Sequence, residues 1–570
     1  MKISMPVAIC SVALAACQST PPPPVNTTSV YTQNYMISTA NPLAAQAGRE
    51  MLRAGGSAID AAIAAQMVLT LVEPQSSGIG GGAFVLYFDK PSGAVESFDG
   101  RETAPQSTTP EMFLKADGSP KKFYEAVVGG SAVGVPGVMR MFEMAHKKHG
   151  KLPWKILFKP AITLAEKGFS ISPRLAGLVA QDKYLKTIPA TKAYFYETDG
   201  SPKKAGTLLK NPDLAMTLRM LAEKGVSALY SGPLAESIVQ TVRNAPKNPS
   251  GMTLADMAGY EAKQRPPVCM DYRQWKVCGM GPPSSGGLTT LQILGISQQF
   301  DLGGFVPFSA RPVHLIAEAS ALAFADRNTY IADPDFIPVP TQGMIGKDYL
   351  KIRAGEISRF KAGGKRFPGM PGLSARLKYA PSENEHGLST THMSIVDGEG
   401  NALSMTSSIE NAFGSRLMSG GFLLNNQLTD FSFRPSRNGS PVANRAGPGK
   451  RPRSSMSPTL VFDKAGHLVM AVGSPGGSRI IGYVVKTIIA ALDWKMDMDA
   501  AIDAPNFVNR NGSTDLEKGS ELESLKPLLE DMGHTVKLVR QVSGLHGVRV
   551  TKYGLEGGAD KRREGVAIGD

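Results

Sequence analysis

The 570-residue sequence predicts an α+β fold in which sheets are layered with helices. Three observations carry that prediction. Strand-like and helix-like stretches mix without a strict strand–helix–strand rhythm, which disfavours a doubly wound parallel sheet. Two tight hairpins fall in the last third, each a pair of apolar-alternating runs around a short polar turn. Small and apolar residues at helical spacing precede and follow them.

Taken in order, residues 44–71 have a helical pattern that Gly55-Gly56 breaks into 44–54 and 58–71. Residues 84–88 form a strand ending in the turn Pro91-Ser92-Gly93, and 135–149 and 154–167 read as helices. Cys269 and Cys278 flank a hairpin with a polar tip. They are either a cross-strand disulfide or two separate buried thiols, since spacing does not fix Cβ geometry. Residues 312–330 are a helix with small residues on one side and apolar ones on the other. Strands 391–397 and 402–407 are joined by Gly398-Glu399-Gly400-Asn401, and strands 460–462 and 468–472 by Asp463-Lys464-Ala465-Gly466. A helix over 480–492 follows.

The first residues are a targeting segment. Lys2 gives a positive start, and the apolar run 6–16 is too short for a permanent span. Leu14-Ala15-Ala16-Cys17 resembles a bacterial lipoprotein cleavage box. That implies a signal peptide over 1–16, a lipidated Cys17, and a Pro/Ser/Thr-rich tether over 17–40 in which Pro21 to Pro24 are extended. Gln18, rather than Asp, after the cysteine favours anchoring to the outer membrane and a periplasmic body; an ordinary secretory signal is the alternative. No other apolar run is long enough to cross a bilayer. The net charge is +13, but the basic residues are scattered rather than clustered with aromatics, which argues against nucleic acid. The densest run, Lys450-Arg451-Pro452-Arg453, reads as a solvated turn.

Several segments could carry chemistry. Gly78-Ile79-Gly80-Gly81-Gly82-Ala83 formally fits a dinucleotide fingerprint, but a helix precedes it and a strand follows, the wrong order for that site. Its glycines are expected to let backbone pass close to another element. Gly473-Ser474-Pro475-Gly476-Gly477-Ser478-Arg479 joins a strand to a helix and exposes N–H groups suited to an oxyanion. Arg101 is a candidate carboxylate clamp because its planar fork makes two parallel bonds. Ser454 and Ser455 offer adjacent hydroxyls for the same task. Asp430, near Gln427, could pair with an ammonium. The eight histidines form no HExxH motif and the cysteines lack zinc spacing, so neither a metal nor a cofactor is expected. No Gly-x-Ser-x-Gly elbow is present. In Leu388-Ser389-Thr390-Thr391-His392, cutting before Thr390 would place a hydroxyl and a free α-amine on one residue, a nucleophile with its own base.

In their order along the chain these segments resemble the γ-glutamyltransferase (glutathione hydrolase) family. The likeness runs from about Ala44 to the end. It includes Gly55-Gly56-Ser57-Ala58-Ile59-Asp60, Glu73-Pro74-Gln75-Ser76-Ser77-Gly78, Gly134-Val135-Pro136-Gly137, Pro282-Pro283-Ser284-Ser285-Gly286-Gly287, Leu424-Asn425-Asn426-Gln427, Ser454-Ser455-Met456-Ser457-Pro458, Gly473 to Arg479, and Asp560-Lys561-Arg562-Arg563-Glu564-Gly565. The resemblance implies a four-layer αββα N-terminal-nucleophile sandwich. It implies self-cleavage between Ser389 and Thr390 into a large subunit (41–389) and a small catalytic subunit (390–570) that stay together as a heterodimer. It implies glutathione or another γ-glutamyl amide as donor, and water or an amino acid or peptide amine as acceptor. Thr390 would be the nucleophile and its α-amine the base. Gly476 and Gly477 would be the oxyanion donors, and Ser408, where the family often has Thr, the partner of Thr390 Oγ. Arg101, Ser454 and Ser455 would hold the substrate α-carboxylate, and Gln427 and Asp430 would lie near its α-amine.

Two departures from the family pattern bear on specificity. Glu410 stands where many bacterial members have Asn, which adds a second carboxylate near the substrate ammonium. The loop 432–450 is short and has no aromatic in its middle, only Phe433 at its start, which predicts a more open pocket. They keep in view a cephalosporin or glutaryl amide acylase of the same family. A catalytically silent lipid-anchored binding protein is the reading from another class.

Overall fold

The computed structural model describes residues 28–372, 378–382 and 389–570. Two seven-stranded antiparallel sheets stack face to face. The first runs, edge to edge, Val30–Thr32, Gly554–Ala559, His546–Thr551, Leu468–Gly473, Thr459–Phe462, Trp275–Gly279 and Val268–Tyr272. The second runs Val566–Gly569, Met36–Thr39, Thr391–Val396, Ala402–Ser408, Gly82–Asp89, Ala94–Gly100 and Lys263–Arg265.

Apolar side chains sort into three layers, as a four-layer stack requires. Leu86, Phe88, Val396, Leu460, Phe462 and Val548 meet between the sheets. Met393, Ile395, Leu403 and Met405 on the outer face of the second sheet pack under the helices Pro42–Arg53 and Ala58–Val72. Val277, Val461, Met470 and Val472 on the outer face of the first pack under Gly286–Ser297, Ala310–Tyr330 and Ile480–Leu492. Every residue of Ala58–Val72 is buried, which suits its apolar surface all round. Ser57 and Asp60 form a capping box at its start, worth about 1 kcal/mol. Ala58 N also donates to Asp397 Oδ2 at 3.0 Å, which ties this helix to the hairpin after Thr391–Val396.

Segments before Ser389 and after Thr390 interleave in both sheets. Met36–Thr39 pairs with Thr391–Val396 on one side and with Val566–Gly569 on the other, and Trp275–Gly279 pairs with Thr459–Phe462. Cutting the chain at Ser389 would remove no rung of these ladders.

The expected helices and hairpins are present, the pattern over 44–71 as the two helices Pro42–Arg53 and Ala58–Val72. Cys269 and Cys278 face each other across their hairpin and are joined as a disulfide. Two expectations need correction. The tether expected over 17–40 cannot extend so far, because Val30–Thr32 and Met36–Thr39 are strands of the two sheets. The expected signal peptide and Cys17 lie outside the described residues. Lys450, Arg451 and Arg453 do not form a solvated turn but are all buried. Lys450 Nζ donates to Arg445 O (2.8 Å), Arg451 N to Asp333 Oδ2 (2.8 Å), and Arg451 Nη1 to Asp99 Oδ1 (3.0 Å). Buried charges persist where partners of this kind surround them. Phe433, at the start of the loop 432–450, stacks on Phe113, with ring centroids 4.6 Å apart, inside a small apolar cluster with Phe431 and Leu428.

Candidate active site

Thr390 stands immediately before the strand Thr391–Val396 and is 4% exposed. Its Oγ donates to the carbonyl oxygen of Ser389 at 2.7 Å and lies 3.1 Å from Ser408 Oγ. Ser408, at the end of the neighbouring strand Ala402–Ser408, donates to the same carbonyl at 3.0 Å. Ser389 Oγ is tied to Gln75 O at 2.6 Å. The hydroxyl of Thr390 is therefore held against the peptide carbonyl that precedes it, and a second hydroxyl polarises that carbonyl. The backbone is fixed from the far side, where Arg563 Nη1 donates to Thr390 O at 2.9 Å.

Two glycine turns admit this arrangement. A Cβ on Gly81 would come within 2.2 Å of Ser408 O, and one on Gly80 within 2.2 Å of Leu423 O, so the Gly78–Gly82 run serves close backbone approach as expected. Gly476 has a φ of 132° and Gly477 a φ of 59°, in the turn Gly477–Arg479 that leads into the helix Ile480–Leu492. That places the partly positive helix start beside Thr390 and Ser408 in one cavity.

The same cavity is lined by Arg101, Glu410, Gln427, Asp430, Ser454 and Ser455, so every candidate substrate residue named from the sequence is brought to Thr390. No residue of the loop 432–450 contributes to it. Arg101 is fully buried, and its Nη2 pairs with Asp430 at 2.5 Å. Its Nε donates to Pro452 O at 3.0 Å and its Nη2 also to Arg453 O at 3.1 Å. Its carbonyl is held by Tyr260 Oη and Arg451 Nη1. The guanidinium is thus fixed before any ligand arrives, with Nη1 as the atom lacking a hydrogen-bond partner. Gln427 Nε2 donates to Asp430 Oδ2 at 2.8 Å.

Glu410 is buried, has a φ of 77°, and donates its N–H to Ser408 Oγ at 2.9 Å. A left-handed backbone at a glutamate is strained, and such strain concentrates at functional sites. Its carboxylate meets Asn426 Nδ2 on one oxygen; the other is buried with no partner. Burial pushes the Glu410 carboxyl up, and the neighbouring Asp430 carboxylate pushes it further. Glu102, behind Arg101, is pushed up to about 8 by burial, which the Arg101 charge only partly offsets. The cavity thus combines a fixed cation with a cluster of carboxylates, one of which has an orphan oxygen.

Sequence reasoning missed two further cationic residues. Arg327, on the helix Ala310–Tyr330, donates through Nε to Ser285 Oγ (2.9 Å) and through Nη2 to Ser455 Oγ (2.7 Å). Arg453 lines the cavity as well. The available signal for Arg327 was the run Asp326-Arg327-Asn328, which follows the small and apolar run Ala319 to Ala325 in the same helix.

Ser408→Ala removes one donor to the Ser389 carbonyl while keeping Thr390. The expected result is chain cleavage slowed by about 10²-fold, the scale of losing one oxyanion donor. Timed denaturing gels of freshly made protein check this.

A buried hydroxyl held against its own upstream carbonyl, directly before a strand of a two-sheet sandwich covered by helices, defines an N-terminal-nucleophile hydrolase. The family model described as gamma-glutamyltranspeptidase matches residues 44–570, and the chain belongs to that family. It is 38% identical over 550 residues to the glutathione hydrolase proenzyme of Bacillus subtilis (strain 168), across 94% of this chain and 91% of that protein. It is 37% identical over 543 residues to the glutathione hydrolase proenzyme of Escherichia coli (strain K12), across 92% and 90%. Among solved structures, cephalosporin acylase from Bacillus halodurans aligns with a TM-score of 0.82 at 28% identity, across 98% of this chain and 99% of that one.

Proposed function

We propose that this chain is a self-processing γ-glutamyl hydrolase and transferase. The observation that carries the reading is the convergence of Thr390, a carbonyl to attack, and an Arg101–Asp430–Glu410 cluster in one buried cavity. In maturation, Thr390 Oγ attacks the Ser389 carbonyl carbon. The peptide C–N bond breaks, the Thr390 nitrogen takes up the proton, and water hydrolyses the resulting ester. The products are a large subunit ending at Ser389 and a small one beginning at Thr390, held together by the shared sheets.

In turnover, the free α-amine of Thr390 accepts the hydroxyl proton as Oγ attacks the γ-carbonyl of the donor. Gly476 and Gly477 N–H groups stabilise the oxyanion. The amine leaves with a proton, and the γ-glutamyl ester passes to water or to an incoming amine. Arg101 with Ser454 and Ser455 takes the α-carboxylate. Asp430, Gln427 and Glu410 take the α-ammonium, and the orphan oxygen of Glu410 supplies an acceptor for it. Export and lipidation at Cys17 are supported by the Leu14-Ala15-Ala16-Cys17 box, and the Cys269–Cys278 disulfide suits an oxidising compartment such as the periplasm.

The structural likeness to the Bacillus halodurans cephalosporin acylase favours one second reading, an acylase for glutaryl-type amides that lack the ammonium. Parallel assays with a γ-glutamyl anilide and a glutaryl anilide separate the two. The γ-glutamyl substrate should be preferred, and Glu410→Gln should cut that preference about tenfold, the value of one charge-assisted hydrogen bond. The pH dependence has a definite sign. Below its raised pKa Glu410 is neutral and attracts an ammonium weakly; above it the carboxylate forms. The kcat/KM for the γ-glutamyl anilide should therefore rise with pH beyond the ordinary carboxylate range, and Glu410→Gln should flatten that rise. A glutaryl preference would favour the acylase reading.

A further inference from the structure

A second cavity, a cleft of about 900 Å3, adjoins the nucleophile and is separate from the Arg101 pocket. The two meet at the reacting residues: Ser389 and Gly476 line the cleft, Thr390 and Gly477 line the pocket, and Ser478 lines both. If the pocket holds the γ-glutamyl group, the cleft is where the amine half of the amide, or the incoming amine, must lie. Among the described residues its walls carry six arginines, Arg174, Arg479, Arg510, Arg540, Arg562 and Arg563, and one acidic residue, Glu564.

Five of the six arginines, all but Arg540, are built into the wall rather than hung on the surface. Arg563 reaches Thr390 O at 2.9 Å, and Arg510 Nη1 donates to Ser478 Oγ at 2.8 Å. The carboxylates that hold them stand behind the wall. Asp515 serves both Arg479 (3.2 Å) and Arg510 (3.8 Å), while Glu517 and Asp560 both go to Arg562. Glu73 lies 3.9 Å from Arg174, and burial pushes its carboxyl up. Arg563 is drawn down to about 9, first by burial and next by the Arg174 guanidinium, as expected where positive charge is in excess. Arg540 is exposed.

We propose that this cleft binds the amine partner of the reaction as an acidic peptide, one carrying two or more carboxylates. The proposal rests on Thr390 carrying a γ-glutamyl group and goes beyond it by naming the class of leaving group and acceptor. Guanidinium forks bind carboxylates in pairs of parallel hydrogen bonds, and six of them spread along one cleft suit charges repeated along a chain. In the donor direction, the γ-amide C–N bond breaks and the acidic peptide departs as an amine with the proton. In the acceptor direction, a neutral peptide amine attacks the ester carbonyl. The C–O bond to Thr390 breaks, Oγ regains a proton, and a new γ-glutamyl amide forms.

The test uses the processed protein and two donors with the same acyl group, γ-glutamyl-glutamyl-glutamate and γ-glutamyl-alanyl-alanine. The expected result is a kcat/KM about tenfold higher for the acidic donor at low ionic strength, shrinking as salt screens the cleft. Arg540→Gln should lower the ratio several-fold, whereas Arg219→Gln, at an exposed pair with Glu166 away from the cleft, should leave it unchanged. Equal rates on the two donors in the wild type, or a preference indifferent to salt and to Arg540→Gln, would overturn the proposal. If neither donor is cleaved, the γ-glutamyl reading fails, and anisotropy of labelled triglutamate decides the cleft separately. Salt-sensitive binding weakened by Arg540→Gln supports it. Absence of binding, or displacement by inorganic phosphate at concentrations below those needed with free triglutamate, overturns it.

Discussion

Thr390→Ala is expected to leave the protein as one uncut chain with no measurable turnover, a loss of at least about 10⁴-fold. Both consequences follow from one atom. In the uncut chain Thr390 Oγ sits on the Ser389 carbonyl and is the group that can open that peptide bond. Once the bond is open, the same Oγ faces the cavity that holds Arg101 and Asp430. Folding should survive, because the substitution removes one hydroxyl whose hydrogen bonds contribute about 1 kcal/mol. An unchanged circular dichroism spectrum would show that the defect is chemical. Thr390→Ser keeps the hydroxyl and should restore both cleavage and turnover in part.

The second large effect is expected at Arg101. Arg101→Leu should raise KM for a γ-glutamyl donor by about 10²-fold and destabilise the fold by about 3–5 kcal/mol. The two losses have separate origins. The KM effect would come from losing the cation that the proposed function assigns to the α-carboxylate. The stability effect comes from leaving Asp430 without its 2.5 Å partner and Glu102 without the charge that offsets its burial. Arg101→Lys distinguishes them. The ammonium keeps a positive charge among the carboxylates and should recover much of the stability. It lacks the planar fork, so KM should stay high. Urea melts and steady-state kinetics on the same preparations check both.

Local pattern made most of the sandwich legible. The period of apolar residues marked the helices Ala58–Val72 and Ile480–Leu492 and the hairpin from Thr391 to Ser408, and Gly55-Gly56 marked the break between the first two helices. The cavity residues were legible because each sits in a short segment with distinctive chemistry, such as Asn425-Asn426-Gln427 or Ser454-Ser455. Long-range partnership stayed hidden. Arg451 looks like part of a solvated run because its partners Asp99, Asp333 and the Arg101 carbonyl are distant in sequence. Met36–Thr39 looks like the end of a tether because its pairing partners lie near residues 393 and 568. Phe433 could be identified as the sole aromatic of its loop, but its stacking on Phe113 depends on a segment more than 300 residues earlier.

The central claim is that Thr390 becomes an N-terminal acyl carrier. It is tested most directly by acid-quenching the wild-type protein during turnover of a γ-glutamyl anilide and weighing the fragments by mass spectrometry. The account predicts two fragments, one ending at Ser389 and one beginning at Thr390, with one γ-glutamyl group attached to Thr390 of the smaller. A single intact chain that still turns over the substrate, or an acyl group carried on any other residue, would contradict it.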